Sequence, residues 1–277
     1  MKAIYEPKGK AAEYSPLACN LYQGCRHGCR YCYVPRILRK TPEEFLANYG
    51  PRPGILEALK RDCDRMVKAG DDRYVLFCFT SDPYQFHYGN ETTRDALLIA
   101  STRGINTSIL TKGGMAAERD FDIMQLGLVQ GDVRFGTTLT CQDPDDSLLW
   151  EPNAAPPDNR KQAIQAAHDR GVFTWVSLEP VLYPEDSLSF IPELADYVDY
   201  WHVGKLNYHP HAKALEAANP NVWEDFTEKA WQALVDVGAS FRFKDSLAEY
   251  LKDGREQQRM TMDEAAAAVA ANQEGVK

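Results

Sequence analysis

Cys25, Cys29 and Cys32 stand in the string NLYQGCRHGCRYCYVP (residues 20–35), so three of the chain's seven cysteines lie in one short segment. Thiolates are soft ligands, suited to zinc and to iron–sulfur clusters. The C-x3-C-x2-C spacing supplies three of them on one loop. Gly24 and Gly28 permit the sharp turns that would bring three side chains to one place. Three thiolates can hold three irons of a cubane [4Fe–4S] cluster and leave the fourth iron open to an outside ligand, which a four-cysteine electron carrier does not. Two other readings stay open. One is a Cys3His zinc site completed by His27 or a later histidine, although zinc sites usually come as paired knuckles and no second C-x2-C occurs. The other is a set of unrelated core thiols, which the flanking Gly and Arg residues do not resemble.

The rest of the composition sets the context. The chain has 277 residues, 44% hydrophobic and 26% charged, which is ordinary for a globular protein and about the size of one α/β barrel. No apolar run approaches the roughly 20 residues of a membrane span. The segment MKAIYEPKGKAAEY has no apolar core and is not a secretory signal. A cytoplasmic location is expected, and there an odd number of cysteines argues for ligands or reactive thiols over disulfides. Net charge is −9. Lys2, Lys8, Lys10, Arg26, Arg30, Arg36, Arg39 and Lys40 against Glu6 and Glu13 make residues 1–40 +6, so the remainder is −15. A broad nucleic-acid footprint is therefore disfavoured. A local basic lip beside the cysteines could face a reductant or an anionic substrate, or be solvated surface.

These residues must be positioned by alternating strands and helices. Strands are expected at 18–23, 74–79, 107–111, 133–138, 173–178 and 200–203, with a weaker one at 240–243; several are near-continuously apolar, as strands covered on both faces are. Thr41-Pro42-Glu43-Glu44 is a capping box with Pro at the first helical position. Leu56, Leu59, Cys63, Met66 and Val67 form an apolar stripe on a helix ending near Gly70, which makes Cys63 core. Further helices fit 91–102, 115–126, 159–170 and 222–236, with Gly104, Gly127, Gly171 and Gly238 as stops. Such alternation implies a parallel sheet with right-handed crossovers. The expected fold is a partial (β/α)6 TIM-like barrel as a single domain over 1–252, with a helical or frayed tail over 253–277; doubly wound order stays possible.

The cysteine loop after the first strand, with an aromatic before its last cysteine, resembles the radical S-adenosylmethionine superfamily. The string NLYQGCRHGCRYCY, with TSDPY (80–84), LTKG (110–113) and VGKLN (203–207) following later strands, resembles its spore-photoproduct-lyase-like branch. That resemblance implies a [4Fe–4S] cluster on Cys25, Cys29 and Cys32, with S-adenosylmethionine on the open iron. It implies reductive cleavage to a 5′-deoxyadenosyl radical, hydrogen abstraction from substrate, and a flavodoxin- or ferredoxin-like electron donor. Tyr31 would then pack near the adenine, with Tyr33 in the same pocket or shielding the cluster. Ser81 and Asp82 would take the methionine amino group and Lys112 its carboxylate. Thr138 and Thr140 would reach ribose or methionine, and Glu179 would partner ribose hydroxyls, Lys112 or Lys205. Lys205 and Asn207 would face substrate, with Tyr84, His87, Tyr88 and His209 as further wall; His202 reads as core.

The likeness also has a gap. The hydrogen-donating cysteine of the photoproduct lyases would fall at Phe79, one residue after Cys78. Strand alternation would turn Cys78 toward a helix, leaving Cys141 as a substitute. A photoproduct-lyase-like enzyme acting on something other than spore DNA is the reading, with DNA repair, or electron transfer without S-adenosylmethionine cleavage, as alternatives.

Overall fold

The computed structural model describes residues 1–85, 91–125 and 130–275, the side chains of 272–275 excepted. The chain divides into two units, Met1–Thr137 with Leu148–Val172, and Thr138–Ser147 with Phe173–Lys277.

In the first unit, β1 (Ile4–Tyr5) runs antiparallel to β2 (Leu17–Cys19), and Tyr22–Gln23 (β3) pairs with Gly50–Pro51 (β4) as a separate ribbon. The parallel run is β2, β5 (Val75–Phe77), β6 (Thr107–Thr111) and β7 (Val133–Thr138). The expected strand at 18–23 is thus two strands. Asn20 breaks it by turning its side chain onto backbone and a neighbour: Oδ1 accepts from the Thr80 N–H at 3.0 Å and Nδ2 donates to the Tyr5 hydroxyl at 2.8 Å.

The capping box at Thr41 forms as expected and starts the helix Pro42–Ala47. The helix Ile55–Ala69 ends at Gly70, whose φ of 64° is the left-handed stop. Its buried stripe is rotated from the expected one: Ile55, Ala58, Leu59, Asp62, Cys63 and Met66 are inside, and Val67 is exposed. Asp62 displaces the apolar edge because its carboxylate caps β1. Oδ2 accepts from the N–H groups of Ala3 at 2.6 Å and Ile4 at 2.9 Å, and Arg65 pairs with the other oxygen. Asp62→Ala leaves two N–H groups of an edge strand without their acceptor. We expect a loss of about 2–3 kcal/mol, given the strength of hydrogen bonds to a charged group, read as a lower urea midpoint with faster amide exchange at residues 3–5.

The expected helix at 115–126 is mostly a 3-10 turn over Gly114–Asp120, followed by the short helix Phe121–Met124. Gly127 lies outside the described residues. The helix Pro157–His168 begins two residues earlier than expected, on a Pro suited to a first turn.

In the second unit, β8 (Phe173–Val181), β9 (Tyr200–Lys205) and β10 (Phe241–Phe243) are parallel neighbours, and β11 (Gln258–Arg259) adds antiparallel to β10. The helix Val222–Asp236 is as expected. The helices Pro184–Leu194 and Pro210–Ala218 were not legible, each opening on a Pro that reads as a loop signal out of context. The tail ends in the helix Met262–Gly275, entered through a second capping box in which Thr261 and Glu264 exchange hydrogen bonds.

In each unit the parallel strands neighbour one another in chain order. A doubly wound sheet reverses its order at a switch point, and neither run does so. The fold is α/β of the partial-barrel kind.

His202 lies in β9 between the rings of Trp175 and Tyr200, at 5.6 and 5.4 Å. Burial, then the charges of Lys244 and Arg242, push it down to about 3. Its folded value lies below that of the unfolded chain, so the unfolded state takes up the proton first. The stability held by the neutral ring is complete above about pH 6.5 and is lost as pH falls toward 3. The expected slope is at most about 1.4 kcal/mol per pH unit, and His202→Phe should flatten urea-midpoint profiles across that range. An unaltered profile would show that another group sets the acid limit.

Candidate active site

In the first unit β2 and β5 end level, Cys19 opposite Phe77, and β6 and β7 run on past them, with Phe77 opposite Ile109 and Thr111 opposite Thr137. Carboxyl ends of β/α strands are where such folds build their chemistry, and here they deliver Asn20, Cys78 and Lys112 to one edge. The cysteine loop leaves from the first of them. Gly24 turns it at φ 62°, and a Cβ there would lie 2.1 Å from the Asn48 carbonyl oxygen, so any side chain would collide with backbone. The loop is then clasped from two sides. The Arg30 N–H donates to the Trp150 carbonyl at 2.8 Å, and the Asn153 N–H to the His27 carbonyl at 3.2 Å. On the other side, the Arg26 N–H donates to Gln85 Oε1 at 2.9 Å.

Cys25, Cys29 and Cys32 are free and half-buried. Burial pushes all three thiols up, Cys29 to about 12, so it is a bound metal that would draw off their protons. Both ring nitrogens of His27 are engaged, Nδ1 at 3.2 Å from the Asn153 carbonyl and Nε2 at 3.1 Å from Asp82. His27 is therefore no fourth ligand, which removes the simplest zinc reading. Among the described residues no three His, Cys, Asp or Glu side chains are placed to hold one metal ion between them. A cubane spreads its thiolates over separate irons, and three free thiols on one clasped loop fit that group.

Asp82 follows β5 and is buried. Oδ1 accepts from the Tyr84 N–H at 2.8 Å and the Thr111 hydroxyl at 2.6 Å; Oδ2 accepts from the Lys112 N–H at 2.7 Å and faces His27. Burial pushes this carboxyl up, but His27, Thr111 and Lys112 outweigh it and hold it at about 2. It ties the cysteine loop to two strand ends, and its oxygens are already committed within the chain. Ser81 is half-buried, with Oγ 3.5 Å from the Tyr22 carbonyl.

Lys112 makes no ion pair among the described residues, and its ammonium sits 5.7 Å from the centre of the Tyr31 ring. That is a cation held beside the cysteine loop, in no ion pair among the described residues but within the field of the buried Glu151 carboxylate. Tyr31 donates its hydroxyl to Glu151. Tyr33 is exposed.

Two expectations in this unit are corrected. Tyr84 is no pocket wall: it is fully buried, with its hydroxyl donating to Asp120 at 2.8 Å. Cys78 does not turn toward a helix. β5 ends at Phe77, Cys78 takes a left-handed φ of 71°, and alternation stops there. Its thiol lies with the Ser81 hydroxyl and the Leu21 and Tyr22 backbone, and burial pushes it up to about 12. His87 and Tyr88 lie outside the described residues.

In the second unit, Glu179 stands near the end of β8, paired at 3.0 Å with buried Lys244. Lys244, not Lys112 or Lys205, is its cation. A Cβ on Gly204 would come within 2.7 Å of the Glu179 carboxyl carbon, so Gly204 keeps room for that side chain. Lys205 is also placed differently from expectation. It reaches the Tyr250 hydroxyl at 3.0 Å and Glu249 at 3.5 Å and lies over the Tyr250 ring. Asn207 donates to the Lys205 carbonyl at 2.8 Å. Thr138, Thr140 and Cys141 are buried, and Cys141 is in no disulfide. His209 caps Pro210–Ala218, its Nδ1 accepting from the His211 N–H.

Sequence reasoning missed Glu151, Arg160 and Lys244. Glu151 reads as part of a polar Trp-Glu-Pro-Asn turn, and Arg160 as one cation on a polar helix. Lys244 follows a strand whose alternation puts it outside. Only the tertiary fold buries all three.

The three-cysteine loop lies at the carboxyl ends of parallel β/α strands, where α/β enzymes build their sites. The family model for the Radical SAM superfamily matches residues 19–198, and the chain belongs to that superfamily. The uncharacterized protein ORF301 of Acidianus two-tailed virus is 25% identical over 223 residues, 75% of this chain and 72% of that protein. The uncharacterized protein Rv2578c of Mycobacterium tuberculosis is 27% identical over 172 residues, 59% of this chain; the match covers 48% of that relative's length. Among solved structures, spore photoproduct lyase complexed with dinucleoside spore photoproduct aligns at a TM-score of 0.65 and 14% identity, over 86% of this chain and 79% of that one. Streptococcus suis SuiB bound to S-adenosylmethionine aligns at 0.59 and 13%, over 82% and 49%. At these identities the likeness is one of fold. Among the described residues no helix is long and apolar enough to cross a membrane.

Proposed function

We propose that this chain binds a [4Fe–4S] cluster on Cys25, Cys29 and Cys32 and S-adenosylmethionine beside it, and acts as a radical enzyme on a substrate other than spore DNA. The observation that carries the reading is three free thiols on a clasped loop beside the Lys112 ammonium, which is in no ion pair among the described residues. When bound, the cluster and cofactor supply one-electron cleavage of the sulfonium to a 5′-deoxyadenosyl radical, which takes a hydrogen atom from substrate.

The chain's own work is to bind, orient and exclude water. Lys112 meets the methionine carboxylate, for which a charged donor is the natural partner. The Ser81 hydroxyl takes the amino group, and the Tyr31 ring forms a wall for the adenine. Asp82 holds the strand ends and His27 in register. In the second unit, Glu179, steadied by Lys244, is assigned to ribose hydroxyls; Thr138 and Thr140 to ribose or methionine; Lys205 and Asn207 to substrate. Cys141 is kept as hydrogen-atom donor.

The electron comes from an acidic flavodoxin- or ferredoxin-like partner. Arg26, Arg30, Arg36, Arg39 and Lys40 are exposed beside the cysteines, and none is in an ion pair among the described residues. In a chain of net charge −9, that lip is where an acidic protein is steered.

Anaerobic reconstitution tests the reading. About four irons and four sulfides per chain are expected, with 5′-deoxyadenosine released on addition of dithionite and S-adenosylmethionine. Iron without nucleoside would leave an electron carrier; zinc without iron would leave a structural site.

A further inference from the structure

We infer that Glu151 and Arg160 form a buried positioning pair for the cofactor loop, with Glu151 anchoring Tyr31 and the two opposite charges balancing the field at the cysteines. This rests on the proposed cluster site.

Both residues are 1% exposed, and residues of these types are almost never so buried unless paired. Arg160 Nη2 is 2.5 Å from Glu151 Oε2, and Arg160 Nε donates to the Ala155 carbonyl at 2.6 Å. The second Glu151 oxygen accepts from the hydroxyl of Tyr31, the residue directly before Cys32 in the chain. Neighbouring residues of the same segment hold the rest of the site. The Trp150 carbonyl and the Asn153 backbone clasp the cysteine loop, and the Ala155 N–H donates to the Lys112 carbonyl at 2.9 Å. One stretch, 150–155, thus fixes both the thiols and the cation above them.

The pair is weak as a stabiliser, since desolvating two charges can cancel their attraction. Its placement makes more sense as positioning. Burial pushes the Glu151 carboxyl up, but the Arg160 and Lys112 charges and the Tyr31 hydroxyl outweigh it and keep it ionised. Tyr31 therefore faces a permanent acceptor. A negative charge near a cluster opposes addition of an electron and a positive charge favours it, and local charge and hydrogen bonding are what tune such centres.

The test separates anchoring from charge. In the apo-protein, Tyr31→Phe removes the hydroxyl and leaves the ion pair in place. Amide exchange across residues 26–33 is expected to quicken about tenfold or more, the factor that goes with losing a hydrogen bond to a charged acceptor. In the reconstituted protein, Glu151→Gln should raise the cluster midpoint potential, Arg160→Gln should lower it, and the double variant should return toward wild type. A general loosening would shift both single variants the same way. Unchanged exchange in Tyr31→Phe overturns the anchoring. Potentials that move together, or not at all, while the wild type carries a cluster, overturn the balancing. A wild type that takes up no cluster overturns the proposed function and the balancing with it, and the exchange measurement still decides the anchoring.

Discussion

Cys29→Ala is expected to yield a folded, colourless protein that releases no 5′-deoxyadenosine. Cys29 is the central member of the three, and two remaining thiolates leave two cubane irons without protein ligands. Removing a mere hydrogen-bond partner of a metal ligand costs roughly 10–100-fold; losing a ligand should exceed that for both iron content and turnover. The fold should survive. Cys29 is half-buried on a loop, and the backbone bonds that clasp the loop come from Arg26, His27 and Arg30. Cys63→Ala is the matching control: that thiol is buried on the helix Ile55–Ala69, so it should lower stability by a modest amount and keep colour and turnover. Iron content and nucleoside release, measured anaerobically beside circular dichroism, decide it. Full activity in Cys29→Ala would falsify the mechanism.

The parts of this molecule that could be read in the chain are those governed by local rules. C-x3-C-x2-C is a local arrangement, and Gly24 and Gly28 show the positive φ values that their turns need. The strands at 107–111 and 133–138 match because both runs are rich in β-branched and apolar residues. The strand at 18–23 split because one asparagine bonds to backbone 60 residues away, which no window contains. Cys78 failed for a similar reason: alternation holds only while the strand lasts, and this one stops a residue too soon. The site residues divide along the same line. Lys112 could be placed by its position after a strand, but the absence of an ion pair on it among the described residues could not. Asp82 looked like an open carboxylate because its four partners come from three separate segments. Glu151 and Arg160 are polar residues in polar surroundings until the fold closes over them. Strand ends are legible; the ion pairs and hydrogen bonds that support them are long-range, and are not.

Lys112→Ala carries the second large effect and the sharper test of roles. The main chain at this residue is structural, donating to Asp82 at 2.7 Å and accepting from Ala155 at 2.9 Å. Alanine keeps both bonds, and β6 ends just before it. The side chain makes no ion pair among the described residues, so removing it strands no buried anion that it alone compensates. Cluster content should therefore be unchanged. S-adenosylmethionine affinity should fall about 10- to 150-fold, which corresponds to losing one hydrogen bond of about 1.5–3 kcal/mol to a charged group. Lys112→Arg should recover part of it, because charge is kept while the reach and fork geometry differ. Methionine carboxylate recognition has its own signature here: an S-adenosylmethionine analogue with that carboxylate amidated should bind the wild type as weakly as the parent cofactor binds Lys112→Ala, and the two losses should not add. If they add, or if affinity is untouched in Lys112→Ala, the ammonium over Tyr31 serves something other than the cofactor's carboxylate.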